Sequence, residues 1–188
     1  MPKRKKILHF LKNFQPFDQK EAEDVVKIIS LIKEHRNIFE RKCLDCHLTA
    51  SALVANSNTG KFLLHKHKKL NRWLQFGGHA DGETNLSSVA IKEAKEETGL
   101  QDLEFFSKRS IDVDLQIIPE IQNQPEHFHL DMRYLLITKT IRVPSPQKGE
   151  SQELAFFSFT ELERMKDKLD ISLFRLIQKS NKLLFLKN

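Results

Sequence analysis

Apolar residues near the amino terminus recur at the spacing of an amphipathic helix. Asp18, with Glu21 three residues later, is a typical capping arrangement. The apolar residues that follow keep a helical spacing: Ala22, Val25, Val26, Ile29 and Ile32. This pattern predicts a helix over residues 19–36. Because the helix precedes every residue of chemical interest, we interpret residues 1–45 as a helical extension packed on a main domain that spans residues 46–188.

From residue 47 the pattern changes to short runs typical of β-strands. Residues 47–55 and 61–65 flank a turn over residues 56–60, which predicts a hairpin. Residues 111–117 and 127–136 alternate apolar with polar positions, which is the period of a half-buried strand. The middle of the chain is therefore predicted to form a sheet.

A helix is predicted between these two groups of strands, over residues 85–98. Thr84 or Asn85 can cap its start, and Gly99 can end it. This loop and helix precede the alternating strands, so the order of elements is not a regular βαβ winding.

The carboxyl-terminal part predicts one more strand and two closing helices. Residues 154–159 form the strand, and Thr160 with Glu163 has the spacing of a helix cap. The apolar residues of the last helix keep helical spacing: Leu173, Phe174, Leu176 and Ile177. The whole pattern indicates an α/β domain in which helices cover both sides of a mixed sheet.

Composition and charge narrow the class of protein. At 188 residues, with 39% apolar and 30% charged residues, the chain fits one globular domain with an extension. A net charge of +6 suits a polyanionic partner such as a nucleotide diphosphate or RNA. No apolar run approaches the roughly 20 residues needed to span a bilayer. His9 and Lys12 interrupt the apolar stretch after the basic start, so we expect no export signal and a cytoplasmic location.

The two cysteines lie in the segment Cys43-Leu-Asp-Cys46-His47, which spells the c-type haem attachment pattern. That attachment needs an exported chain, so we expect reduced thiols instead. A cysteine-based metal site is the alternative, although no second Cys/His pair has zinc spacing.

Three glutamates on the predicted central helix lie on one face within a single turn. Glu93, Glu96 and Glu97, called here the box glutamates, stand at positions i, i+3 and i+4. Like charges repel at this spacing, so a cation must offset them. Carboxylates suit Mg²⁺, with Mn²⁺ as the alternative. If Lys92 and Lys95 are the partners instead, the glutamates form only a solvated surface.

Residues 78–100 resemble the Nudix box, G-x5-E-x7-R-E-U-x-E-E-x-G-U, where U is a bulky apolar residue. Gly78 and Gly99 occupy its first and last glycine positions, and the box glutamates complete its closing part. The sequence departs from the box where Thr84 replaces the first Glu, with Glu83 one position early. It departs again where Lys92 replaces Arg and Ala94 replaces a bulky residue.

The resemblance implies a Nudix-type α/β/α sandwich with a mixed sheet. It also implies that Mg²⁺ or Mn²⁺ is held by Gly78 and the box glutamates, and that Glu96 and Glu97 act in catalysis. Glu150 or Glu153 lies where many Nudix enzymes carry a catalytic base.

The implied reaction is hydrolysis of a diphosphate bond in a nucleoside diphosphate linked to another moiety. The substrate is expected to be a small molecule; an RNA end is within the family's range but is not indicated, and a homodimer is left open. Two alternatives are a non-catalytic Nudix ligand-binding domain, which commonly lacks box glutamates, and an isoprenoid-diphosphate isomerase, which would use Cys43 or Cys46 with a glutamate.

One strand carries a second group of candidates. His127, His129, Asp131 and Arg133 alternate with apolar residues, so they share one face of the sheet. We predict that this face looks towards the box helix and contributes to the substrate pocket. Arg133 could hold a phosphate, Asp131 could line the pocket, and His129 or His79 could serve as an additional metal ligand or an acid. An ordinary solvated strand face is the alternative.

Overall fold

A mixed eight-stranded sheet lies at the centre of the computed structural model, which describes residues 2–120, 124–144 and 151–185. The strands are β1 (Cys46–Asn56), β2 (Phe62–His67), β3 (Trp73–Leu74), β4 (Phe76–His79), β5 (Glu104–Phe105), β6 (Asp112–Ile118), β7 (His127–Thr138) and β8 (Ser151–Phe157). The helices are α1 (Pro2–Lys12), α2 (Gln19–Glu34), α3 (Leu86–Thr98), α4 (Phe159–Arg164) and α5 (Ile171–Phe185), and a 3₁₀ turn spans Lys166–Lys168.

Strand β1 pairs with β2, β4 and β7. It runs parallel to β7 along its full length, with His47 opposite His129 and Ser51 opposite Arg133. It runs antiparallel to β2 and β4. β2 also pairs with β3 and β8, and β7 pairs with β5 and β6. Both parallel and antiparallel pairs occur, so the predicted mixed sheet is confirmed.

Alternate residues of β1 and β7 face two different cores. Leu48 and Leu130 belong to one apolar cluster, which also contains buried residues of α2 and α3. Leu53 and Leu135 belong to a second cluster with buried residues of α4 and α5. Helices therefore cover both sides of the sheet, as predicted. Within the described part of the chain, no helix is both long and apolar enough to cross a membrane.

Helix α2 begins as its sequence predicts. The Asp18 carboxylate accepts a hydrogen bond from the Glu21 backbone N–H at 2.7 Å and so caps the helix. The helix ends at Glu34, two residues before the predicted end. Helix α1 was missed, because a short segment with a mostly basic composition gives little amphipathic signal. Its Leu11 is nevertheless fully buried against the core.

Glu21 joins the amino-terminal extension to the main domain. Its Oε1 accepts hydrogen bonds from the Val113 backbone N–H at 3.0 Å and from Lys179 Nζ at 2.5 Å. Burial raises the pKa of this carboxyl, and the nearby Asp112 carboxylate raises it further. The extension therefore shares both an apolar core and a buried polar network with the rest of the protein, which supports a structural role.

Replacing Ile28 with alanine tests this role of α2. Ile28 is 0% exposed, so we expect the substitution to lower the free energy of unfolding by about 2–5 kcal/mol. Val26 lies on the same helix but is 71% exposed, so Val26→Ala should change stability by less than about 0.5 kcal/mol. Urea denaturation of both variants measures the difference. If both substitutions changed the free energy of unfolding equally, α2 would not be part of the core. Deletion of residues 1–36 should in that case leave a folded domain.

One helix start differs from its prediction. α4 is capped by Ser158 and Glu161, which form a capping box, and not by Thr160 and Glu163. The two candidate pairs have the same spacing, so the sequence could not separate them. The backbone of Ser158 is extended, which a capping residue requires, whereas Thr160 already lies inside the helix.

Candidate active site

Helix α3 packs against β1 and β4 and carries the box glutamates beside its buried face. Its apolar face is buried against the sheet: Leu86, Val89, Ala90 and Ala94. Glu93 and Glu97 are half-buried, with Glu97 Oε2 shielded from solvent, while Glu96 is exposed. Gly99 ends the helix with a left-handed φ of 74°, as predicted. The helix therefore carries three carboxylates along one edge of the sheet.

The two glycines of β4 allow close packing against two different neighbours, β1 at Gly77 and α3 at Gly78. A side chain at Gly77 would place its Cβ 2.6 Å from Ser51 Cα and 2.7 Å from the Ala50 carbonyl oxygen, which is closer than atoms can approach. A Cβ at Gly78 would lie 2.6 Å from Glu93 Oε2 and would displace that carboxylate. Gly78 thus brings the backbone of β4 next to the first box glutamate, as the sequence indicated.

The electrostatics at the box glutamates favour a bound cation. Burial raises the pKa of the Glu93 carboxyl; Lys92 opposes this shift, and the negative charge of Glu96 adds to it. Lys92 Nζ lies 3.8 Å from Glu93 Oε1 and 3.7 Å from Glu96 Oε1, so it neutralises only part of the cluster. Several carboxylate oxygens beside a glycine backbone are a donor set that suits a divalent ion.

The loop before α3 shows what replaces the first glutamate of the box. Glu83 Oε1 accepts hydrogen bonds from the backbone N–H groups of Thr84 and Asn85, at 2.6 and 2.7 Å. These bonds lower the pKa of Glu83 and satisfy the start of the helix, whereas the Asn85 side chain makes no capping bond. The side chain of Glu83 therefore caps α3, and we assign it no metal-binding role.

An arginine that the sequence did not single out lies beside this loop. Arg41 donates two hydrogen bonds to Asp81, at 2.5 and 2.7 Å, and this pairing lowers the pKa of the Asp81 carboxyl. The charges of both residues act on Glu93. Forty positions separate Arg41 from Asp81, so no local pattern could have indicated the pair.

The polar face of β7 has the predicted composition but the opposite orientation. His127, His129, Asp131 and Arg133 share one face; Leu130 and Met132 point the other way and pack in the cluster that contains the apolar face of α3. The prediction that the polar face looks towards the box helix is therefore wrong. A strand's period shows which residues share a face, but not which helix covers that face.

Arg133 lies in a buried ion-pair network. It is 1% exposed, and its guanidinium contacts Asp131 at 3.0 Å, Asp114 at 2.7 Å and Asp112 at 3.5 Å. Asp131 is also buried and accepts hydrogen bonds from two hydroxyl groups of β1. A guanidinium engaged in this way does not reach a phosphate. The structure thus favours a structural role for Arg133 and Asp131 over the predicted contact with substrate.

His79 and His129 meet in a group of four histidines. Gly78 faces α3, and the next residue, His79, points to the other face of the sheet, where its ring centroid lies 4.8 Å from that of His129. His47 and His127 complete the group, with ring centroids 4.8 and 5.1 Å from His129. Burial lowers the pKa of His79 to about 4 and that of His129 to about 3, so both rings are neutral at pH 7.

The remaining sequence candidates are two glutamates and two cysteines. Glu153 is exposed on β8, opposite Lys66 of β2. Glu150 lies outside the described residues, so the prediction that one of these two is the catalytic base stays a prediction. Cys43 and Cys46 are buried free thiols, and burial raises the pKa of Cys46 to about 12. A thiol that is so weakly acidic is poorly suited to the alternative isomerase chemistry.

Comparison with known proteins agrees with this architecture. A model of the NUDIX domain matches residues 46–179. A protein of Lactococcus lactis subsp. cremoris named "Probable DHNTP pyrophosphohydrolase" is 35% identical over 147 residues, which are 75% of this chain and 80% of that protein. A NUDIX-family hydrolase from Clostridium perfringens is 25% identical, covers 76% of this chain and 98% of its own, and superposes with a TM-score of 0.56.

A more distant structure has the same fold. The dihydroneopterin triphosphate pyrophosphohydrolase of E. coli is 11% identical, with 70% of this chain and 92% of that chain covered and a TM-score of 0.54. The matches show that this chain belongs to the Nudix family. It is a hydrolase that acts on pyrophosphate bonds, in a family that generally uses divalent metal ions.

Proposed function

We propose that the protein uses Mg²⁺, with Mn²⁺ as a substitute, to hydrolyse a diphosphate bond in a nucleoside diphosphate linked to another moiety. The observation that carries this proposal is the contact between Gly78 and Glu93, on the helix that also bears Glu96 and Glu97. Three carboxylates and a glycine backbone are the donors that Mg²⁺ prefers. The retained box glutamates also favour an enzyme over a non-catalytic binding domain.

Gly78 and the box glutamates would have different roles in the reaction. Gly78 and the box glutamates would hold the ion, which when bound neutralises phosphate oxygens and acidifies a water molecule. The half-buried carboxylates of Glu93 and Glu97 are held by the packing of α3 and so are oriented before substrate arrives. Glu96 is exposed and paired with Lys92, so it can exchange this partner for the ion or accept a proton from the attacking water.

The first substrate to test is the one in the name of the Lactococcus lactis relative, DHNTP. The identity to that protein, 35% over most of both chains, supports a shared substrate more strongly than the distant structures do, since they show only the fold. A screen should compare DHNTP with nucleoside triphosphates, dinucleoside polyphosphates and nucleotide sugars. Release of pyrophosphate, phosphate or the monophosphate product identifies which bond is cleaved.

We expect turnover to require added Mg²⁺ or Mn²⁺. Chelation of the protein before assay should abolish hydrolysis, because the site then lacks the ion that would neutralise the substrate diphosphate, and Lys92 is already close to Glu93 and Glu96. Restoring Mg²⁺ should restore the rate, and NaCl at the same ionic strength serves as the control. Full activity after exhaustive chelation would contradict the proposed role of the box glutamates.

Two further assignments complete the proposal. We propose a cytoplasmic location, which the buried free thiols Cys43 and Cys46 support, because thiols stay reduced in that compartment. The division into an extension over residues 1–45 and a main domain over residues 46–188 is also proposed, with the start of the NUDIX match at residue 46 as its support. A homodimer stays a prediction, and light scattering tests it.

A further inference from the structure

Three histidine side chains converge on the face of the sheet opposite the box helix. His47 of β1 lies opposite His129 of β7, and His127 precedes His129 by two residues on the same face. One ring nitrogen of each histidine can be chosen so that all three lie within 4.8 Å of one another. Two neighbouring parallel strands thus place three imidazoles around one point.

Hydrogen bonds to backbone carbonyls orient two of these rings. His47 Nδ1 lies 3.2 Å from the Cys43 carbonyl oxygen, and His127 Nδ1 lies 2.8 Å from the Pro125 carbonyl oxygen. A carbonyl oxygen only accepts, so Nδ1 carries the proton in both rings. With the proton on Nδ1, the Nε2 atom of each ring has a lone pair that can bind a metal ion. Metal-binding histidines are commonly held in this way by a bond from the other ring nitrogen.

One observation indicates that a ligand is needed at this point, and a second gives a spacing that fits a metal ion. His47 is 4% exposed, and its buried Nε2 has no hydrogen-bond partner within the described part of the chain. A buried acceptor without a partner costs free energy, which a bound cation would remove. In addition, His127 Nε2 and His129 Nε2 lie 3.2 Å apart. Two nitrogen ligands at 2.0–2.1 Å from a tetrahedral metal ion are about 3.3 Å from each other.

We propose that His47, His127 and His129 form a binding site for a divalent transition-metal ion of the zinc type, separate from the carboxylate site on α3. Neutral imidazoles suit zinc, whereas the oxygen ligands of the box glutamates suit magnesium, so the two sites differ in the ions they select. Three protein ligands leave a tetrahedral ion one open position. His79 lies beside the cluster, with its ring centroid 5.1 Å from that of His47.

The site is connected to the box through the chain itself. Gly78 and His79 are consecutive residues of β4. Gly78 lies next to Glu93, and His79 lies next to the other histidines. The charge of Arg41 acts both on Glu93 and on His129. An ion at the histidines would therefore lie beside the loop that leads into the box helix, where it could contact a substrate or fix that loop.

Zinc binding to the full-length protein tests the proposal. The metal-free chain is titrated with Zn²⁺ against a chromogenic chelator, in excess Mg²⁺ so that oxygen ligands are occupied. We expect one tightly bound Zn²⁺ per chain. His127→Gln and His129→Gln should each weaken zinc affinity by about 100-fold or more, beyond the range seen when only a partner of a ligand is removed. His9→Gln, at an exposed position on α1, is the matched control and should change nothing.

A second group must be distinguished from the first. His35, Cys43 and Cys46 also bring possible ligand atoms within 4.8 Å of one another. The double variant Cys43→Ser, Cys46→Ser should keep the zinc affinity if the histidines bind the ion. Loss of binding in that double variant alone, or in Glu93→Gln alone, would overturn the proposal. The absence of tight zinc binding would also overturn the proposal. The contact between His127 Nε2 and His129 Nε2 would then be only a hydrogen bond that His129 donates.

A spectroscopic measurement keeps the test valid where a histidine variant fails to fold. Co²⁺ bound to the unmodified chain reports its own ligands. Nitrogen ligands give visible absorption bands without the near-ultraviolet charge-transfer band of a cobalt–thiolate bond, and this is the expected result. A thiolate band would place the ion at the cysteines and refute the histidine site. Circular dichroism of each variant identifies those that are folded.

Discussion

Replacing Glu97 or Glu93 with glutamine should reduce turnover by roughly 100-fold or more. Each substitution keeps the size of the side chain but removes one negative charge from the proposed magnesium site. A loss of this size corresponds to about 2.7 kcal/mol of transition-state stabilisation. Folding should survive, because both residues are only half-buried and glutamine fills the same volume. Removing one of three clustered like charges should leave the stability of the metal-free protein unchanged or slightly higher.

Glu163→Gln is a suitable control, because Glu163 is an exposed glutamate on α4, away from the box. It should keep full activity and Mg²⁺ affinity. If the box glutamates are instead only a solvated surface, Glu97→Gln and Glu93→Gln should behave like this control. The loss of a partner for Lys92 would then cost at most a few tenths of a kcal/mol. Steady-state kinetics at several Mg²⁺ concentrations, together with melting temperatures, distinguish the two cases.

Replacing Arg133 with methionine should lower the free energy of unfolding by about 3–5 kcal/mol. Methionine fills much of the same volume but leaves several buried carboxylates short of a positive charge. Burial alone would raise the pKa of Asp112, yet the hydrogen bond from Arg175 and the charge of Arg133 hold it below its ordinary value. Asp114, at 2.7 Å, would lose a direct ion pair in a region that water does not reach.

Arg109→Met is the matched control for this substitution, because Arg109 is exposed and its loss should change stability by less than about 0.5 kcal/mol. Chemical denaturation measures both variants. The same pair of variants also tests the earlier expectation that Arg133 holds a phosphate. In that case Arg133→Met would raise KM while leaving the denaturation midpoint near that of the control.

The sequence determined the elements whose signals are local. The caps and apolar spacing of α2, the alternation in β7 and the glycine that ends α3 all depend on residues within a few positions of one another. The placement of Glu93, Glu96 and Glu97 on one face follows from helix geometry alone. The box pattern then led to the Nudix family, which the match over residues 46–179 shows.

The tertiary structure decided which of these residues meet. Alternation placed His129 and Arg133 on one face but could not show that α3 covers the other, because either orientation gives the same period. The parallel pairing of β1 with β7 brings His47 to His129, and the network around Arg133 needs carboxylates from β6 as well as β7. Contacts between residues far apart in the chain arise from packing and charge compensation in three dimensions, and these leave no periodic trace in a single sequence.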